Sequence, residues 1–330
     1  MATDWVSPFA LQKPIWRENL VALQKSHPSI AVYARSLRDP GTVRVREIDA
    51  GIYEAQRILS EGQTLTFDRA TSEYQINLLR PRIAESVSGG SELIVLAESG
   101  AGTIFLGLAP VFARLQNWQM LVVERDLMWI AVLARLIPLA GWLSNKRLYF
   151  ASAEEGGVQA AVEQYGLGNR TGIGIFSGLP RQNEPMEAAI RAAIETDYRS
   201  QNNLADRVSA YYRENLPSEC RSVLCVDLWR NSAGGFMQEG LAEALTLNNL
   251  TVHRLTLPTQ STPPDSLFRK EYYPHVLRAL DRLKPDLLLS MQHDLGYFLP
   301  RDVCDRLRCP NAVYSVDTFP CEETPGRERR

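Results

Sequence analysis

Two stretches of this chain alternate apolar strands with amphipathic helices, and that alternation leaves few folds open. From Glu92 the segments "ELIVLAES", "QMLVVERD", "RLYFASA" and "TGIGIFSGLP" read as strands. Between them lie the helices "TIFLGLAPVFARLQ", a second beginning at Leu127, and "GVQAAVEQYG" with Gly166 as its C-cap. The pattern resumes near residue 219 with strands "RSVLCVDLW", "TVHRLTL", "PDLLLSMQ" and "NAVYSVD" and helices "MQEGLAEALTLNN", "KEYYPHVLRALDRLK" and "PRDVCDRLR". Continuous apolar strands joined through helices imply parallel sheets covered on both faces. The expected class is α/β: two consecutive doubly wound, Rossmann-like parallel sheets after a small α+β preface.

The expected boundaries are 1–88 for the preface, 89–184 for the first sheet, 185–218 for connecting helices and 219–330 for the second sheet. Within the preface, Pro14 to Leu37 reads as a helical hairpin interrupted at "SHPS", where Pro28 ends one helix and Ser29 begins another. Thr42 to Ala55 alternates weakly, and Thr64 to Phe67 reads as a short strand. Pro185 to Asn215 is amphipathic and rich in helix formers, and is expected to be a connecting helix pair closed by Pro217.

With 330 residues, 45% of them hydrophobic, the chain can bury more than one core. Its 36 basic and 38 acidic residues leave a formal charge of -2, so no global field draws it to nucleic acid. Cys220, Cys225, Cys304, Cys309 and Cys321 form no CxxC pair and have no nearby histidine at metal-ligand spacing, so they read as reduced cytosolic thiols and no metal site is expected. "MATDWVSPFALQKPIW" has neither a basic n-region nor a continuous apolar h-region, so a cytoplasmic protein without a signal peptide is expected. Leu127 to Leu143 is 17 residues long and carries Arg135 and Pro138, whereas a span needs about 20 apolar residues. It reads as a buried or interfacial helix, with docking on a membrane surface as the alternative.

Ligands of open parallel sheets sit beyond the carboxyl ends of the strands, where backbone N–H groups and helix N-termini converge. In the first sheet those positions are Glu98 to Thr103, Glu124 with Asp126, Ala151 to Glu155, and Ser177-Gly178. Gly100 and Gly102 let the backbone turn sharply, and Glu124 stands where such folds place an acid that accepts from a ribose. Glu98, Gly100, Gly102 and Glu124 are therefore candidate ligands of an adenosine-type cofactor such as S-adenosylmethionine. The alternative is a turn that packs helix against strand, since the third glycine of GxGxxG is absent. In the second sheet the positions are Asn231 to Phe236, Gln292 to Asp294, and Asp317 to Phe319. Gly234 and Gly235 open the first crossover helix there, and His293 and Asp317 are candidate general bases at neighbouring strand ends. Their alternatives are a polar loop residue for His293 and a turn cap before Pro320 for Asp317. His27, His253 and His275 read as surface or packing residues.

Two resemblances add to this. "WRENLVALQKSHPSIA", a small strand-rich segment, and then "ELIVLAESGAGTIFLGLA" resemble the motility accessory factor proteins, which modify flagellin with nonulosonic acids; the likeness covers about residues 14 to 215. "PDLLLSMQHDLGYFLPRDVCDRL" followed by "PNAVYSVDTFP" resembles the N-terminal half of CgeB-like glycosyltransferases over about residues 219 to 320, with Asp317 matching the first acid of a "VDDP"-like turn and Thr318 replacing the second. The resemblance implies a GT-B arrangement, in which an N-terminal domain holds the acceptor and a C-terminal domain the nucleotide sugar. It also implies that a complete donor site needs a further domain beyond "VDTFP". Under it, Asp317 or His293 serves as acceptor-side base and Asn231 to Phe236 lies near the donor phosphates. No DxD motif occurs, in keeping with metal-independent transfer.

Three readings follow. The first is a CgeB-like glycosyltransferase-related protein, the acceptor-side portion of a transferase with a nucleotide sugar as donor and a protein or glycan as acceptor. The others are an S-adenosylmethionine-dependent methyltransferase and a non-catalytic scaffold or binding module.

Overall fold

The computed structural model describes residues 4–11, 14–59, 62–145, 147–181, 183–227, 233–256, 266–291, 299 and 301–314. They fall into two compact units, Met1–Tyr198 and Arg199–Arg330. The architecture is α/β, with a small antiparallel sheet and two parallel sheets.

The preface contains α1 (Pro14–Ser26), α2 (Pro28–Ser36), the antiparallel strands β1 (Val43–Asp49), β2 (Ile52–Ile58) and β3 (Thr64–Phe67), and α3 (Arg69–Tyr74). A π-helical turn, Gln75–Leu79, then leads into α4 (Arg80–Ser88). Pro28 opens α2 at its first position, where the missing N–H costs nothing, one residue before the start read from sequence.

The first parallel sheet is β4 (Leu93–Ala97), β5 (Gln119–Glu124), β6 (Leu148–Ser152) and β7 (Ile173–Ser177), in the order β6-β5-β4-β7. Side chains alternate between two buried faces. Ile94, Leu96, Met120, Val122, Leu148 and Phe150 join a core shared with the preface and with α5 (Thr103–Arg114) and α6 (Leu127–Leu136). Leu93, Val95, Ala97, Leu121 and Val123 enter a second core, which also holds Val158 and Val162 of α8 (Gly157–Tyr165). Every residue of α6 from Trp129 to Leu136 is buried. Among the described residues no helix is long and apolar enough to cross a membrane.

Polar anchors tie the preface to this sheet. Asn19 of α1 is fully buried; its Nδ2 donates to Ala134 O (2.8 Å) and Ile137 O (2.6 Å), and its Oδ1 accepts from Leu139 N (2.8 Å). One side chain thus caps the end of α6 and holds the turn into the short helix α7 (Ala140–Ser144). His27 proves to be a packing residue, 5.5 Å from the Tyr165 ring and 5.9 Å from Phe150. Burial pulls its pKa down to about 4, so the ring is neutral at physiological pH.

A single helix, α9 (Glu184–Glu214), takes the place of the expected helix pair. Between Pro185 and Asn215 there is neither glycine nor proline to break it. Its Met186, Ile190 and Ile194 belong to the core of the first unit, and its Leu204, Ala205, Val208 and Tyr212 to the core of the second.

The second unit is built on β8 (Ser222–Asp227), α10 (Ala233–Leu247), β9 (Thr251–Thr256), α11 (Ser266–Leu283), β10 (Leu287–Met291), α12 (Arg301–Leu307) and β11 (Asn311–Tyr314). Its parallel sheet has the order β11-β10-β8-β9. Val226 of β8 pairs with Ser290 of β10, and Met291 of β10 with Tyr314 of β11.

Replacing Asn19 by Ala strands two buried carbonyls and a buried N–H, so the first unit should lose about 2–4 kcal/mol. Five of the six tryptophans (Trp5, Trp16, Trp118, Trp129, Trp142) lie in that unit, so urea unfolding followed by tryptophan fluorescence measures the loss.

Candidate functional site

Each parallel sheet has one place where the strand order reverses, and there the crossovers on either side diverge and leave a crevice beyond the strand ends. In the first sheet that place is between β4 and β7; in the second it is between β8 and β10.

In the first sheet the crevice is closed by the chain itself. Gly178, just beyond β7, donates to Ala97 O (2.8 Å) and lies so close to the β4 end that a Cβ there would stand 1.9 Å from Glu98 O. Only glycine fits. Gln75 of the π-helical turn is 1% exposed and fills the remaining space. Its Nε2 donates to Ser99 O and Gly178 O, both at 2.8 Å, and its Oε1 accepts from Ile104 N (2.9 Å). Ile104 N is in the first turn of α5, where phosphate-binding turns offer their free amides. Beside it Ser72 and Thr103 share a hydroxyl hydrogen bond (3.1 Å), and Tyr74 donates to Ser177 O (3.2 Å).

The candidate residues from Glu98 onward are all inside this packing. Gly100 (φ 61°) is covered by Gln75, Leu179 and Phe67, and Trp129 Nε1 donates to its carbonyl (2.9 Å). Gly102 takes φ 84° as the residue before α5, and a Cβ there would meet Ile137 Cγ1 at 2.7 Å. Glu98, itself at φ 58°, forms an ion pair with Arg125 and accepts from Asn183 Nδ2 (3.3 Å). Glu124 accepts through Oε1 from Ser99 N (2.9 Å) and Ser99 Oγ (2.5 Å). It is 2% exposed, and burial pushes its pKa up to about 8, with Glu98 and Asp126 adding repulsion against the hydrogen bonds from Ser99. At neutral pH Glu124 is therefore largely a protonated acid whose oxygen holds the turn. Asp126 caps α6 through Trp129 N (3.0 Å) and pairs with Arg57 of β2.

Sequence reasoning passed over Gln75, Arg57, Arg125 and Asn183. The two arginines follow from the acids once the carboxyl edge is located. Gln75 sits in "EYQINLL", where a single amide among mixed residues gives no periodic signal.

The second sheet presents a different edge. Ala233, Gly234 and Gly235 form the first turn of α10, so the glycine pair stands at the N-terminus of the helix that follows β8. The paired strands β10 and β11 end at Met291 and Tyr314. In sequence His293 follows Met291 by two residues and Asp317 follows Tyr314 by three. Both candidate bases lie outside the described residues.

Two measurements probe the closed turn. Gln75→Ala leaves the Gly178 carbonyl and the Ile104 N–H unpaired, while Ser99 O keeps its bond from Gly102 N (3.1 Å), and should cost the first unit about 2–4 kcal/mol in urea unfolding. For Glu124 the folded state keeps, between about 4.5 and about 8, a proton that the unfolded chain has released, so its contribution to stability falls as pH rises through that window. Glu124→Gln does not titrate and should gain on the wild type by up to about 1.4 kcal/mol per pH unit there. Urea midpoints of both proteins across the window read the slope, and parallel profiles would rule out the buried neutral acid.

No protein-family model matches the chain, and no curated protein matches it. Among solved structures it is similar to a MAf glycosyltransferase from Magnetospirillum magneticum AMB-1, with a TM-score of 0.40 and 12% identity. The match covers 91% of this chain and 56% of that one, so the chain spans little more than half the length of that structure.

Proposed function

We propose that the chain is a cytoplasmic, CgeB-like glycosyltransferase-related protein of GT-B type, the acceptor-side portion of a metal-independent transferase that uses a nucleotide sugar. The observation that carries this reading is the glycine pair in the first turn of the helix that follows β8, the strand beside the reversal of strand order. The β4–β7 crevice is filled by Gln75, whereas at β8–β10 the helix after β8 opens on the glycine pair Gly234-Gly235. Glycines in a first helical turn let a phosphate approach the backbone amides, and the helix dipole favours the negative charge of a departing nucleotide. The pairing of β10 with β11 supports His293 and Asp317 as neighbours at one edge.

In the proposed reaction an acceptor hydroxyl attacks the anomeric carbon as His293 or Asp317 takes its proton. The bond from that carbon to the nucleotide phosphate breaks, and the phosphate carries away the electron pair. The first sheet then serves as a scaffold, a role that its filled crevice favours. A methyltransferase reading needs the amides around Ile104, and Gln75 already uses them.

Thermal unfolding with UDP-, GDP- and CMP-sugars and with S-adenosylmethionine tests the proposal. Because a complete donor site needs a further domain, the chain alone is expected to hold a nucleotide sugar weakly, through its phosphates at the start of α10, with a stabilisation that grows as RT ln(1 + [L]/Kd) and that Gly235→Val removes. His293→Ala or Asp317→Asn should keep that binding but lower transfer about 10²–10⁴-fold. Stabilisation by S-adenosylmethionine alone would overturn the assignment.

A further inference from the structure

The first unit also holds a cavity of about 540 Å3 at the far end of α6 from Asp126. Phe9, Leu11, Trp16, Arg17, Glu18 and Arg135 are among the residues that line it. Arg135, in the last turn of α6, is only 9% exposed. Its guanidinium carbon lies 3.7 Å from the Trp16 ring centre and 4.6 Å from that of Phe9. The rings stabilise the cation through its faces, but the N–H bonds of a guanidinium lie in its plane and need acceptors there. Its Nη1 is buried with no hydrogen-bond partner.

We propose that this cavity binds a small organic carboxylate with an apolar body. A carboxylate matches the planar fork of an arginine and supplies the in-plane acceptors that Trp16 and Phe9 cannot. Among the described lining residues the charges of Arg17 and Glu18 offset each other, which leaves the charge of Arg135 uncompensated by them. Phe9, Leu11 and Trp16 provide apolar surface for the rest of the ligand, and the volume falls in the range of about 300–1,000 Å3 typical of small-molecule pockets. Inorganic phosphate offers the same charge but leaves that apolar surface unused. The site is independent of the transferase reading, because it shares no residue with either sheet edge.

The test compares phenylacetate with its neutral isostere phenylacetamide, by calorimetry and ligand-observed saturation-transfer NMR on the full chain. Phenylacetate is expected to bind at least about tenfold more tightly, as an arginine-paired carboxylate should. Arg135→Met keeps an unbranched apolar stem against Trp16 and should abolish the preference, whereas Arg17→Met should retain it. If Arg135→Met does not fold, the acid-to-amide ratio of the wild type decides alone. Equal affinities, no binding of phenylacetate at millimolar concentration, or a preference that survives in Arg135→Met would overturn the proposal.

Discussion

The side-chain amide of Gln75 holds together the part of the molecule on which the first unit depends. It reaches from the preface to the ends of β4 and β7 and to the first turn of α5, joining three segments through one group. A parallel sheet leaves unsatisfied backbone groups at this reversal of strand order, and in many folds a ligand satisfies them. Here the chain supplies its own. Gln75 is the first residue of the π-helical turn between α3 and α4, and it is buried there together with Leu79.

Asn19 performs the same service at the opposite end of the α6 layer, closing the carbonyls at the end of that helix. The preface is thus fixed by two buried amides as well as by a shared apolar core, and all of these contacts lie within the unit Met1–Tyr198. Each amide is satisfied by several partners, so removing one leaves several groups unpaired. Such buried networks are stiff but intolerant of substitution.

The strands of the first parallel sheet were legible because each is a mostly apolar run bounded by glycine or polar residues, and both faces of a parallel sheet demand such runs. Even the four-residue β3, Thr64–Phe67, coincides with the expected strand. The strand order was not legible, because β6-β5-β4-β7 and β11-β10-β8-β9 arise from the same alternating pattern and differ only in the side on which the third strand is added. Nor was the closure of the turn after β4. Gly100 and Gly102 announce a tight turn whether a cofactor or a glutamine lies against it, and Gln75 is 23 residues upstream of Glu98 with no pattern linking them. The single α9 was within reach of the sequence, since a stretch without glycine or proline gives a helix no reason to stop.

Two buried ionisable groups of the first unit, His27 and Glu124, are both held neutral, and they act on stability in opposite directions. His27, lowered from 6.5 to about 4 by burial, costs stability as pH falls through that interval, because the unfolded chain gains a proton that the folded one refuses. Glu124, raised from 4.5 to about 8, costs stability as pH rises, because the folded chain retains a proton that the unfolded one has lost. Between 4.5 and 6.5 the two slopes oppose each other and largely cancel, whereas between 6.5 and about 8 only the Glu124 slope remains. The combined optimum of these two groups is therefore mildly acidic. It follows from burying a neutral imidazole and a neutral carboxyl, where an ion pair would have placed the optimum between the partners' own pKa values.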